Sequence, residues 1–227
     1  MINATINTLV RNGDDFLKPC LESVLPYVSE AIVFVDSRST DKTREVLYGL
    51  GQEYHNLSVF EVEINKAKED LVKARNMQLA ASRKTEWIWI VDSDEFYLPE
   101  TIEEIMYWSS SPHKDVLALP SWAIWNKEYY HVSTSKIYSG RLFRNYNKLE
   151  WRGKFGKEKL FWGEKTLWNN QRSEVKFLDS RYIHFTHVKK DKWREEMGQL
   201  RRADNRNLRP LSPALIEVIK NVYENKM

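Results

Sequence analysis

Asp92 and Asp94 stand one residue apart, directly after the apolar run Trp87-Ile88-Trp89-Ile90-Val91, and Glu95 follows them. In extended backbone, residues i and i+2 face the same side, so the two aspartates can present their carboxylates together. Hard oxygen ligands at that spacing suit Mg²⁺ or Mn²⁺, ions that also take oxygens from a diphosphate. The bland alternative is a solvated acidic turn between a strand and a helix, because a D-x-D is very short. A second apolar run, Ala31 to Val35, also ends in an aspartate, Asp36, followed by the polar turn Ser37-Arg38-Ser39-Thr40. Asp36 can accept hydrogen bonds from a base or a ribose. Capping of the next helix by Ser39, Thr40 or Asp41 explains that turn but not Asp36.

Two acids at strand ends need a fold that gathers strand ends at one edge. The first hundred residues alternate between strand and helix patterns. Strands are expected at 2–10, 31–36, 57–63 and 86–92, and helices at 16–28, 40–50, 69–83 and 99–110. This order predicts an α/β fold with a mostly parallel central sheet, right-handed crossovers and flanking helices. In such sheets ligands bind at the carboxyl ends of the strands. The second half carries six of the nine tryptophans and shorter, broken strand patterns, so it reads as a mixed-strand part of the same single domain. Its last fifty residues read as two amphipathic helices.

Composition bounds the function. The chain has 227 residues, 42% hydrophobic and 30% charged, which suits one packed α/β domain. A net charge of +3 suits an anionic ligand and is too small to argue for nucleic acid. Cys20 is the single cysteine, so an internal disulfide is excluded and a reducing, cytoplasmic location is expected. The N-terminus lacks a signal-peptide pattern. No run approaches the ~18 apolar residues of an integral membrane span. The chain stops directly after helix-like sequence, compatible with further domains of a larger chain.

Four stretches, taken together and in order, resemble the family-2 glycosyltransferases of the GT-A (Rossmann-like) fold: TLVRN at 8–12, DSRSTDKT at 36–43, KARNMQLAAS at 73–82 and IVDSDEF at 90–96. The resemblance implies transfer of a hexosyl group, with inversion, from a nucleotide-diphospho-sugar donor, UDP by family frequency, assisted by Mn²⁺ or Mg²⁺. It implies a glycan, lipid or protein acceptor. Residues 1–110 become the nucleotide-sugar-binding half, and 111–227 the acceptor-side half with the C-terminal helices. Val10, Arg11 and Asn12 would line the nucleotide pocket. Asp36 and Arg38 would lie near the base or ribose, Arg75 near the base or phosphate, and Asp92 and Ser93 near the ribose, Asp92 also near the metal. Asp94 would sit on the metal. RLFRN at 141–145, a W-x-G and a loop acid are similar to the family's R-L-F-R … G-x-x-H-E segment, with Lys157 in place of the histidine and Glu158 at the acid. His184 resembles the distal histidine of the family and joins the metal candidates.

Inverting displacement needs a carboxylate to take the acceptor proton on the face opposite the leaving group. Glu158 is the first candidate for that base. Glu95 is the second, with an orienting role beside the metal as its rival reading. The basic and aromatic run 141–165 admits a different class, a non-enzymatic single-stranded nucleic-acid or nucleotide-binding module. The resemblance favours a sugar platform there. His187, Lys189, Lys190 and Lys192 add further candidates for the diphosphate side. Other nucleotide enzymes lack their signatures here. There is no Gly-rich loop after the first strand, no G-x-G-x-x-G after a strand, and no D-x-D-x-T on the first strand.

Overall fold

The computed structural model describes residues 1–64, 70–82, 84–132, 137–153, 158–167, 174–185 and 207–224. The parallel part of the sheet follows the sequence pattern closely. It comprises β1 (Ile2–Val10), β2 (Val28–Asp36), β3 (Leu57–Val62) and β4 (Trp87–Ile90), connected through α1 (Leu17–Glu22), α2 (Thr43–Glu53) and α3 (Asp70–Ala81). Then come β5 (Glu95–Phe96), α4 (Pro99–Ser109), β6 (Val116–Ala123), β7 (Tyr129–His131) and β8 (Tyr138–Arg144). The chain continues through β9 (Leu149–Arg152), β10 (Lys159–Trp162), β11 (Lys165–Thr166), β12 (Val175–Phe177), β13 (Tyr182–His184), β14 (Leu208–Pro210) and α5 (Pro213–Glu224).

The main sheet runs β3-β2-β1-β4-β8-β6-β13-β5, with β12 also paired to β6. The first four strands are parallel, and β8 enters antiparallel between β4 and β6. Both halves of the sequence therefore share one sheet. β9, β10 and β11 form a separate three-stranded sheet, and β7 pairs with β14.

Alternation along β4 explains the layers. Trp87, Trp89 and Val91 pack with Ile102 and Ile105 of α4 on one face. Ile88 and Ile90 pack with Leu79 of α3 on the other. A strand covered on both faces must be apolar throughout, which is why Trp87–Val91 carries no polar residue. Each fully buried large side chain here contributes about 1.5–3 kcal/mol. By the same alternation Asp92 continues the α3 face, and Asp36 ends β2.

Three departures have local causes. The helix expected over 16–28 is cut to α1 plus a 3₁₀ turn, Leu25–Tyr27, which holds Pro26 where no amide hydrogen is needed. The helix expected from residue 40 begins at Thr43, because Asp41 spends its carboxylate on the Thr43 amide and hydroxyl in a turn that precedes the first helical residue. The strand pattern over 174–185 breaks between β12 and β13, where the amides of Asp179 and Ser180 donate to Glu104 of α4 instead of to a neighbouring strand. α5 closes a separate apolar cluster, placing Leu215, Ile219 and Val222 with Phe16, Ile183 and Phe185. The first of the two expected C-terminal helices, residues 191–207, lies outside the described residues except for Asn207.

Candidate active site

The loops after β1 and β2 are built as one unit. Val10 is buried at the end of β1, and Gly13 packs so closely that an added Cβ would lie 2.4 Å from Val10 Cγ2. Between them Asn12 adopts φ 52°, a left-handed conformation that asparagine tolerates. Its side-chain oxygen accepts from the Thr40 amide at 2.9 Å. The Gly13 amide donates to Thr43 Oγ1 at 2.8 Å, the Asp14 amide to Asp41, and the Lys42 amide back to Asp14. This lacing fixes Asp36, which is 1% exposed, relative to the end of β1. Asp36 accepts from the Arg38 amide at 3.0 Å and from Arg38 Nε and Nη2 at 3.2 and 3.0 Å. Arg11 Nε lies 3.9 Å away. Ser93 closes the rim, its Oγ 3.4 Å from where a Cβ on Gly13 would stand.

The expectation that Asp92 and Asp94 face the same side assumes extended backbone. A turn intervenes instead: the Glu95 amide donates to the Asp92 carbonyl at 3.1 Å. The two carboxylates therefore meet different partners. Asp92 lies between two guanidinium groups, Arg75 Nη2 on Oδ1 and Arg141 Nη1 on Oδ2, each at 3.3 Å. Asp94 is 2% exposed, and its Oδ1 lies 3.6 Å from His184 Nε2. β13 brings His184 there by pairing it with Glu95 of β5, and the Phe185 amide donates to the Asp94 carbonyl at 2.9 Å.

Glu95 is fully buried and serves the scaffold. Its Oε2 accepts from the Asp92 amide and the Tyr97 hydroxyl, both at 3.2 Å, and its Oε1 accepts a close hydrogen bond from Arg141 Nη2. Arg141 also donates from Nε and Nη2 to the Tyr182 hydroxyl at 3.2 and 2.9 Å. Tyr182 stacks on Tyr97 with centroids 5.2 Å apart, and Tyr97 meets Trp89 edge-on at 4.9 Å.

The electrostatics follow from this packing. Burial would raise the Asp92 pKa, but the charges of Arg141 and Arg75 outweigh it and hold the carboxyl below the usual range. Burial dominates at Glu95 and pushes it up to about 7, with Arg141 offsetting only part. At His184 burial would lower the pKa, yet the Asp94 carboxylate outweighs it and the imidazole is raised. Arg141 loses solvation too, and Glu95 among other neighbours holds it firmly charged.

Among the described residues no group of three or more His, Cys, Asp or Glu is arranged around a metal position. Asp94 with His184 is the pair whose chemistry fits a divalent cation. One carboxylate and one imidazole suit Mn²⁺, and Mg²⁺ commonly uses one or two carboxylates plus substrate phosphates. Asp92, at the edge of the same turn, is ion-paired with arginine.

Glu158 enters from the three-stranded sheet. There Trp151 pairs with Leu160 and Arg152 with Lys159, so Glu158 directly precedes β10. Trp151 ties this sheet to α3. Its amide and carbonyl hydrogen-bond the side chain of Asn76 at 2.7 and 3.0 Å, and Arg75 lies 5.9 Å over its ring. Glu158 thus belongs to a separate segment that abuts the Arg75 side of the cluster. Lys157, His187, Lys189, Lys190 and Lys192 lie outside the described residues.

Sequence reasoning missed Arg141, Tyr97 and Tyr182. Arg141 opens the RLFRN stretch, but Arg144 offers the same residue type three positions on, facing the opposite side of the strand. Arg144 instead pairs with Glu86 at 3.2 Å and covers Trp87 at 4.1 Å.

A family model described as glycosyl transferase family 2 matches residues 5–170. A poly(ribitol-phosphate) beta-glucosyltransferase from Bacillus spizizenii is 27% identical over 111 residues, 47% of this chain and 17% of the relative, so the match spans well under a fifth of that protein's length. The solved structure of residues 1–349 of S. aureus TarS superposes with TM-score 0.54 at 17% identity, covering 99% of this chain and 71% of that one. That likeness establishes a common GT-A fold.

Proposed function

From the premise that the chain belongs to glycosyl transferase family 2, and is a glycosyltransferase, we propose that it moves a hexosyl group from a UDP-sugar to an acceptor hydroxyl with inversion, in the presence of Mn²⁺ or Mg²⁺. The observation that carries this reading is the junction at the carboxyl edge of β4. There the Asp94–His184 pair adjoins the Arg75–Asp92–Arg141 bridge and the laced loops that hold Asp36. Asp36 and Arg38 receive the base and ribose, with Val10, Arg11, Asn12 and Ser93 forming the walls. Arg75 turns towards the diphosphate. Its Nη1 is buried with no hydrogen-bond partner, a group an anion would satisfy. Asp94 and His184 hold the cation, with Asp92 at its edge. When bound, the cation neutralises charge on the departing diphosphate.

Glu158 takes the acceptor proton. Glu95 is a positioning residue, because both its oxygens are engaged inside the protein. The acceptor is a glycan or polyol phosphate hydroxyl, by analogy with the glucosyltransferase relative. No helix among the described residues is long and apolar enough to cross a membrane. A cytoplasmic site of action suits this proposal.

Thermal shift tests the reading. UDP at 100 times its Kd should raise stability by about 2.7 kcal/mol in Mn²⁺ and much less in chelator. Greater stabilisation by single-stranded RNA than by any nucleoside diphosphate would replace the enzyme reading with a binding module.

A further inference from the structure

A polar cleft runs away from the chemistry just described. It has a volume of about 570 Å³ and runs between α3, at Asn76, Leu79 and Ala80, and the segment from Asn145 to Glu150. β8 is antiparallel to β4 with Arg144 opposite Trp87, so this segment starts at the sheet edge where β4 begins. Asp92 is five residues further along, so the Asn145 end lies about 16 Å from it at ~3.3 Å per residue, while Asn76 at the other end directly follows Arg75.

The cleft is built, not a gap between loose loops. Asn145 Nδ2 donates to the Ser82 and Thr85 carbonyls at 2.7 and 2.8 Å. The Tyr146 hydroxyl donates to Asp115 at 2.5 Å. Asn76 is fixed on both sides by the Trp151 backbone. Lys148 is held at φ 68°, a left-handed conformation that costs a lysine energy and that the flanking anchors impose. The Tyr146 ring stacks on Trp162 at 4.4 Å and 20°, and Trp162 is 44% exposed. That is a large indole surface left in water beside a fixed polar wall.

The lining also says what would bind. It contains no histidine, cysteine or paired acids, so it holds a ligand without reacting with it. Lys148 is balanced by Glu150, so no net charge recruits a phosphate. Asn147 is exposed, and no hydrogen bond between described side chains uses its amide. The Asn145 side-chain carbonyl, which accepts no hydrogen bond among the described residues, adds an acceptor. Amide donors and acceptors beside an aromatic face match a neutral pyranose, whose hydroxyl groups ring an apolar C–H face.

We propose that this cleft, with the Tyr146–Trp162 stack at its rim, is a second carbohydrate site that takes a neutral hexopyranose chain and is separate from the donor pocket. Saturation-transfer difference NMR on the full chain tests it, with cellotetraose, maltotetraose and chitotetraose as probes. At least one should receive magnetisation, and saturating UDP with Mn²⁺ should leave that signal unchanged. Trp162→Ala should weaken its binding by roughly tenfold, and Asn147→Ala should weaken it severalfold. Both side chains are exposed, and unchanged thermal melting of the variants would establish that they fold. The proposal is overturned if none of the three probes binds, if UDP with Mn²⁺ displaces the bound one, or if two folded variants bind it as the wild type does.

Discussion

Replacing Glu95 by Gln should flatten the pH dependence of stability between pH 5 and 6.5. The Glu95 carboxyl is fully buried, and burial lifts its pKa from 4.5 to about 7. A carboxyl raised on folding binds more protons in the native state than in the unfolded chain over that interval. Stability must therefore fall as pH rises from about 4.5 to about 7. One unit corresponds to about 1.36 kcal/mol, so the 1.5 units from pH 5 to 6.5 are worth about 2 kcal/mol. The other groups of the cluster leave this window clear. Asp92 has a lowered pKa, so its contribution is complete above its unfolded value of 3.8. His184 has a raised pKa, so its contribution is fully present below 6.5 and is lost only as pH rises through the higher folded value. The glutamine keeps the hydrogen bonds from Tyr97 and the Asp92 amide while removing the titration. Urea unfolding of both proteins at pH 5, 5.75 and 6.5 gives the two slopes. A wild-type stability that is flat or rises across this range, or a variant that keeps the wild-type slope, would show that the Arg141 charge rather than burial governs Glu95.

Three further outcomes are expected. Asp94→Ala should abolish stabilisation by Mn²⁺, while Asp36→Ala should weaken UDP binding and leave the Mn²⁺ response in place; calorimetric titration separates the two, and equal small effects would reduce both acids to scaffold. Glu158→Gln should lower sugar transfer by about 10²–10⁴-fold with donor affinity nearly unchanged, measured by radiolabelled transfer beside equilibrium binding; the reverse result, loss with Glu95→Gln and not with Glu158→Gln, would move the base to the acid beside the metal pair. Gly13→Ala should cost about 1–3 kcal/mol, read from denaturant midpoints, because its Cβ would lie 2.4 Å from Val10 Cγ2.

The parallel half was legible because its physics is local. A strand buried on both faces must be apolar throughout, so β4 and the Ala31–Val35 run of β2 announced themselves, and each acid at the end of such a run had to lie at the sheet edge. Asp36 and Asp92 were placed at the sheet edge in this way. The partners of those acids were hidden because they arrive through topology. Arg141 reaches Asp92 only because β8 inserts antiparallel beside β4, and nothing in RLFRN says which arginine turns inward. The turn that separates Asp92 from Asp94 was hidden too, since D-S-D-E fits extended backbone as readily as the observed bend. The break between β12 and β13 depends on Glu104, 75 residues before Asp179, which no local period could register.

The charge balance of the cluster links its architecture to its use. Arg75 and Arg141 are cationic and Asp92 and Asp94 anionic, while Glu95 is raised to about 7 and the Asp94 carboxylate raises His184, so the charges of the cluster largely offset one another. A buried site pays heavily for net charge, and either a divalent cation or a diphosphate alone would impose two units of it. Together they cancel. On the proposed function, a cation at Asp94 and His184 and a diphosphate beside Arg75 should therefore each bind more tightly when the other is present, by the same factor in both directions. On that reading, the bridging position of Asp92 between Arg75 and Arg141 would provide the coupling. Held between two guanidinium groups, it keeps Arg75 in place before the donor arrives, and it can yield part of that contact when phosphate oxygens enter.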